Sequence, residues 1–131
     1  MIRPKDERVQ KLAGEFIAYL NDRYPMNTEV VLSVAPDEYA CLDTGDDEYG
    51  FGVYSPDSNP REIAVISPEG WKLVLADEDL RLDDRDYEWL FLTTIAHEFR
   101  HHMQYCCGVE FSEEDATAFA EKVVKDYYDG V

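Results

Sequence analysis

The chain has 131 residues, with 12 Lys and Arg against 29 Asp and Glu, and a formal net charge of −17. So acidic a protein repels phosphate, which argues against a general nucleic-acid binder or a binder of anionic membranes and leaves a basic peptide or protein as the compatible partner. The length suits one domain over residues 1–131, and 45% apolar residues, with nine tyrosines, six phenylalanines and two tryptophans, supply a core.

The first residues, MIRPKDERVQKL, lack the continuous apolar stretch of a secretory signal, and no segment approaches the roughly 20 apolar residues of a membrane span. The expectation is a soluble, cytoplasmic protein. Cys41, Cys106 and Cys107 do not form a disulfide framework, since two of them are adjacent in the chain. They read as reduced thiols that pack as small hydrophobes.

In chain order, Pro4 stands where a helix can begin, and Val9, Leu12, Ala13, Phe16 and Leu20 recur at helical spacing before Asn21, Asp22 and Pro25 stop the pattern. Four β-like runs follow: TEVVLSVA from Thr28, YGFGVY from Tyr49, EIAVIS from Glu62 and WKLVL from Trp71. Between the first two, the acidic stretch LDTGDDE lacks the ligand pattern of a calcium loop and reads as a solvated turn. YEWLFLTTIAHEFRHHMQYCC then runs without Pro or Gly as far as Gly108, a long central helix preceded by acids. Ser112 opens a last helix that Gly130 closes. The resulting fold is α+β: an N-terminal helix, a small, mostly antiparallel sheet of three or four strands, the long helix and a C-terminal helix.

All three histidines lie in AHEFRHH, residues 96–102. At about 100° per residue, His101 falls about 40° from His97, with Thr94 at about 60° and Glu98 at about 100°. Leu92, Ile95, Phe99, Met103 and Cys106 occupy the opposite arc, an apolar stripe for packing on the sheet. His102 lies beside that stripe, out of reach of a metal held by His97 and His101. HExxH on a helix is a zinc arrangement, because two neutral imidazoles stack on one face while the intervening Glu98 can take a proton from a metal-bound water. A zinc site needs a third ligand. No histidine follows His102, so that ligand is a carboxylate or a cysteine. Glu113 heads the stripe Ala116, Thr117, Ala120, Val124 and Tyr127, whereas Glu114 and Asp115 point away from it, which favours Glu113.

His97-Glu98-x-x-His101, followed by Glu113-x-x-Ala116 and Phe119-Ala120, resembles gluzincin metallopeptidases. TTIAHEFRHHMQY with EEDATAFAEKVV is similar to the minimal gluzincins and the ImmA/IrrE family of cytosolic metallopeptidases, and YGFGVYSPDSNPREIAVIS is similar to the strand pair that precedes their active-site helix. The resemblance implies Zn²⁺ on His97, His101 and Glu113, Glu98 as the base that activates water, and an extended peptide substrate added to a sheet edge. These families usually carry Asp or Asn at the position of Thr117, where it supports a zinc-binding His. Tyr105, Tyr127, Tyr128 and His102 are all eligible to stabilise an oxyanion. Peptide deformylases share HExxH, but their cysteine-containing ligand segment is missing here. The non-enzymatic alternative is an acidic interaction module for a basic partner, with zinc structural or absent.

Overall fold

A computed structural model describes residues 7–25, 30–35, 40–41, 49–57, 60–78 and 81–130. The elements are α1 (Glu7–Arg23), β1 (Val30–Ala35), β2 (Ala40–Cys41), β3 (Tyr49–Gly50), β4 (Gly52–Ser55), β5 (Arg61–Ile66), α2 (Pro68–Val74), α3 (Asp84–Cys106) and α4 (Glu113–Asp129). The α+β organisation read from the sequence is the one observed. The expected helix start at Pro4 and the acidic stretch 42–48 lie outside the described residues.

Amphipathic α1 buries Ala13, Phe16 and Leu20 at helical spacing. The main sheet has the order β1-β5-β4, and β2 pairs with β3 in a separate antiparallel ribbon. β1 runs parallel to β5 from Val30↔Arg61 to Ala35↔Ile66, while β4 runs antiparallel to β5 from Gly52↔Val65 to Ser55↔Glu62. The sheet is therefore mixed rather than mostly antiparallel. Central β5 is buried on both faces, which explains the unbroken apolar run IAVI. Ile63 and Val65 join Phe16, Phe91, Leu92, Ile95, Phe99 and the α4 residues Ala120, Val123 and Val124. Ala64 and Ile66 face the other way, onto Val53, Trp71 and Val74.

One expected strand is corrected. Trp71 to Val74 of WKLVL lie in α2 and Leu75 is its C-cap, and the local signal is Ser67-Pro68-Glu69 just before it. The Ser67 hydroxyl accepts from the Gly70 N–H at 3.0 Å, and Pro68 occupies the first helical turn, where its missing N–H costs nothing. An N-cap of this kind contributes about 1 kcal/mol, enough to decide a short apolar run whose periodicity fits either structure.

α3 opens with a capping box between Asp83 and Asp86. Its end is a Schellman turn: the Gly108 N–H donates to the Tyr105 carbonyl, the Val109 N–H to the Gln104 carbonyl, and Gly108 takes φ 71. Ser112 caps α4 by accepting from the Asp115 N–H at 3.1 Å. The tight link makes α3 and α4 antiparallel neighbours, with Arg100 meeting Asp115 near the link and Glu88 meeting Tyr128 at the other end. The last turn of α3 projects beyond the core, so residues 105–111 are all exposed. Cys106 and Cys107 are accordingly exposed free thiols, not the buried packing residues expected. Among the described residues, no helix is long and apolar enough to cross a membrane.

Candidate metal centre

α4 lies against α3 through buried Ala116 and Ala120, whose small side chains let the two backbones come close. That approach brings Glu113, the first residue of α4, to the imidazoles of α3. Its carboxylate spans both of them, with Oε2 2.9 Å from His97 Nε2 and Oε1 2.9 Å from His101 Nε2. One ligand atom from each of the three residues lies within 4.8 Å of the others, the one such group among the described residues. Two imidazole nitrogens and a carboxylate oxygen are a donor set that Zn²⁺ accepts, and three protein donors leave a coordination position open. Cys106 and Cys107 are not part of it.

The geometry corrects the reason for singling out Glu113. Its side chain is 77% exposed, so no burial penalty draws it to a metal. Position places it there instead, at a helix N-terminus where negative charge is favoured and beside two imidazoles. Desolvation is the largest single influence on Glu113 and opposes its ionisation, but the hydrogen bonds and charge of His97 and His101 together outweigh it and hold the carboxyl below its ordinary range. Of the stripe expected behind it, Ala116, Ala120 and Val124 are buried, while Thr117 is exposed.

Glu98 is 8% exposed. Burial pushes its carboxyl up to about 7, with the His101 charge working against that rise and the Glu113 charge adding to it. Strand β4 covers it at Gly52. A Cβ on Gly52 would collide with the Thr94 methyl and lie 3.2 Å from Glu98 Cγ and 3.3 Å from Glu98 Oε2. Thr94, expected on the polar face, donates its hydroxyl back to the Leu90 carbonyl at 2.8 Å and so presents its methyl to β4.

The two histidines are supported unequally. His97 Nδ1 is 3.5 Å from the Thr117 hydroxyl, a long contact. His101, almost fully buried, has its Nδ1 2.9 Å from Gln104 Oε1. The Gln104 amide nitrogen donates to Asp115 Oδ2 at 2.8 Å and to the Ser112 carbonyl at 3.3 Å. Arg100 grips the same Asp115 with two nitrogens, at 2.7 and 3.2 Å. The expectation that Asp115 points away from the inward stripe is corrected. It points to α3, because a residue in the first turn of α4 can reach sideways to the neighbouring helix. The Phe111 ring lies 5.1 Å from that of His101 and shields its outer side.

Sequence reasoning missed Gly52, Gln104, Asp115 and Arg100. A glycine inside a strand-like run and a polar residue three positions after His101 were the available signals. His102 belongs to a different environment, as its helical phase indicates. It is fully buried, with Nδ1 2.8 Å from the Tyr54 hydroxyl and Cys106 Sγ 3.7 Å away. Tyr127 and Tyr128 pack with Phe16, Tyr19 and Trp89 at the far end of α4, roughly 20 Å along the helix from Glu113, too far to serve as oxyanion donors.

No protein-family model, curated protein or solved structure matches the chain.

Proposed function

We propose that this protein is a zinc-dependent metalloendopeptidase of gluzincin type that cleaves a cytosolic protein, a regulatory cut in an extended and basic segment. The observation that carries the reading is the meeting of His97 Nε2, His101 Nε2 and the Glu113 carboxylate within 4.8 Å, with the buried carboxyl of Glu98 one residue along the same helix. His97, His101 and Glu113 would hold the ion. A zinc ion bound there would supply Lewis acidity toward a water and a peptide carbonyl. Glu98 takes up the proton that the attacking water loses and delivers it to the leaving amine. β4 forms an edge of the three-stranded sheet and touches Glu98 through Gly52, so a peptide added along it would pass the base. Glu113, Glu114 and Glu121 line an open groove beside the site and favour positive charge on the substrate.

The test is zinc content by elemental mass spectrometry together with cleavage of an unstructured basic protein. Wild type should carry stoichiometric zinc, and His97→Ala and Glu113→Ala should lose it. Glu98→Gln should keep zinc and lose cleavage by about 10²-fold or more. Unchanged cleavage by Glu98→Gln sinks the mechanism. Wild type that takes up no zinc and cleaves nothing favours an acidic binding module for a basic partner instead.

A further inference from the structure

The orientation of the Gln104 side chain follows from its neighbours. Asp115 Oδ2 and the Ser112 carbonyl can only accept hydrogen bonds, so the Gln104 end that meets them at 2.8 and 3.3 Å is the NH₂. The opposite end is therefore the amide oxygen, and the Ser112 N–H donates to it at 3.3 Å. That oxygen also meets His101 Nδ1 at 2.9 Å, and an oxygen cannot donate, so Nδ1 carries the hydrogen. His101 Nε2 faces the Glu113 carboxylate, with Oε1 at 2.9 Å, and is the nitrogen on the side where the three candidate ligands meet. The chain of contacts ends on Arg100, whose two-pronged grip stops Asp115 from turning and so stops Gln104 from flipping.

We propose that Gln104, locked by Asp115 and Arg100, is a positioning residue of the metal centre that keeps the proton of His101 on Nδ1 and presents Nε2 to the ion. The proposal rests on the metal-centre reading. It assigns to an amide of α3 itself the work of orienting one zinc-binding histidine, and it makes the first turn of α4 serve twice: Glu113 supplies a ligand, and Asp115, two residues later, sets the orientation of another. Among the described residues nothing comparable supports His97, whose Nδ1 has the Thr117 hydroxyl at 3.5 Å.

Three forms of the full chain test this: wild type, Gln104→Leu, which keeps the side-chain bulk, and Gln104→Glu/Asp115→Asn, which reverses the polarity of the relay. In the last, the amide introduced at position 115 donates to the carboxylate introduced at position 104, and that carboxylate still accepts from His101. Long-range ¹H–¹⁵N NMR of the metal-free proteins at mildly alkaline pH, each also carrying Glu113→Ala so that no carboxylate competes at Nε2, reads which ring nitrogen of His101 is protonated, and zinc titration of the three forms with Glu113 intact, against a competing chelator, reads affinity. Thermal melts verify that all three are folded. The expected result is a proton on Nδ1 in wild type, a bare Nδ1 in Gln104→Leu with zinc affinity reduced about 10- to 100-fold, and recovery of both in the reversed pair. The same protonation of His101 in wild type and Gln104→Leu overturns the proposal whether or not zinc binds. The NMR difference without zinc uptake by wild type overturns the metal centre instead, which separates the two failures. Loss of affinity that the reversed pair does not restore, with the NMR difference intact, also overturns the assigned role.

Discussion

The two ends of the α3–α4 pair are built from different chemistry. At the far end, the Tyr127 ring meets Phe16 at 5.0 Å and Tyr19 at 4.9 Å, and Trp89 stacks on Tyr128 at 5.7 Å. At the near end, two imidazoles, two carboxylates, an amide and a guanidinium meet through directional hydrogen bonds. Ring packing tolerates shifts of a few tenths of an ångström and derives its strength from burial, whereas a ligand set does not tolerate them and derives its strength from the ion and from charge. The far end holds the helices together. The near end depends on that hold, because Glu113 and Asp115 reach their partners only while α4 keeps its register on α3.

The largest effect should come from breaking the apolar hold. Phe16, fully buried against Tyr19 and Tyr127, replaced in Phe16→Ala should lose about 3–5 kcal/mol in denaturant unfolding. Zinc affinity of the folded protein at low temperature should stay within a small factor of wild type. An equally large loss of affinity would erase the division between the two ends.

Next comes the pH response of the near end, measured on metal-free protein. An unfolded Glu titrates at about 4.3, and burial raises Glu98 to about 7 in the folded state. The folded state therefore binds more protons in that window, so this group makes stability fall as pH rises from about 4.3 through about 7. Glu98→Gln should remove that fall. Its gain over wild type should be small at about pH 5 and grow, by up to about 3 kcal/mol, by about pH 8. A gap independent of pH would show that Glu98 is ordinarily solvated.

A smaller effect, of about 1–3 kcal/mol, is expected from Gly52→Ala, since its new methyl meets that of Thr94 and the Thr94 rotamer is pinned by its bond to Leu90. Gly52→Ala/Thr94→Ser removes the opposing methyl and should recover most of the loss in urea unfolding. No recovery would mean that β4 and α3 do not meet as closely as described, and it would weaken the contrast with the far end, where no single contact is so exacting.

Much of this protein is legible in its sequence because the relevant signals act within one or two helical turns. The spacing of His97 and His101, the position of Glu98 between them, the separate phase of His102, the stripe of α1 and the caps around α3 and α4 are local properties of the chain. WKLVL misleads because five residues of an apolar run fit a strand or a helix, and the deciding signal is the Ser67-Pro68 cap before it. Asp115 and the cysteines mislead for a different reason. Helical phase says which residues share a face, but not where a helix overhangs its core or which side chains of a first turn reach across to a neighbour.

The sequence by itself determined α1, α3 and α4 and the placing of His97, Glu98 and His101 along one helix, because periodicity and capping are written in adjacent residues. Only the tertiary structure decided that Glu113 spans both imidazoles from an exposed rim, that Gln104 and Asp115 hold His101, and that Gly52 admits β4 to Glu98. Those facts depend on how closely and at what register separate elements pack, and no single element carries that information.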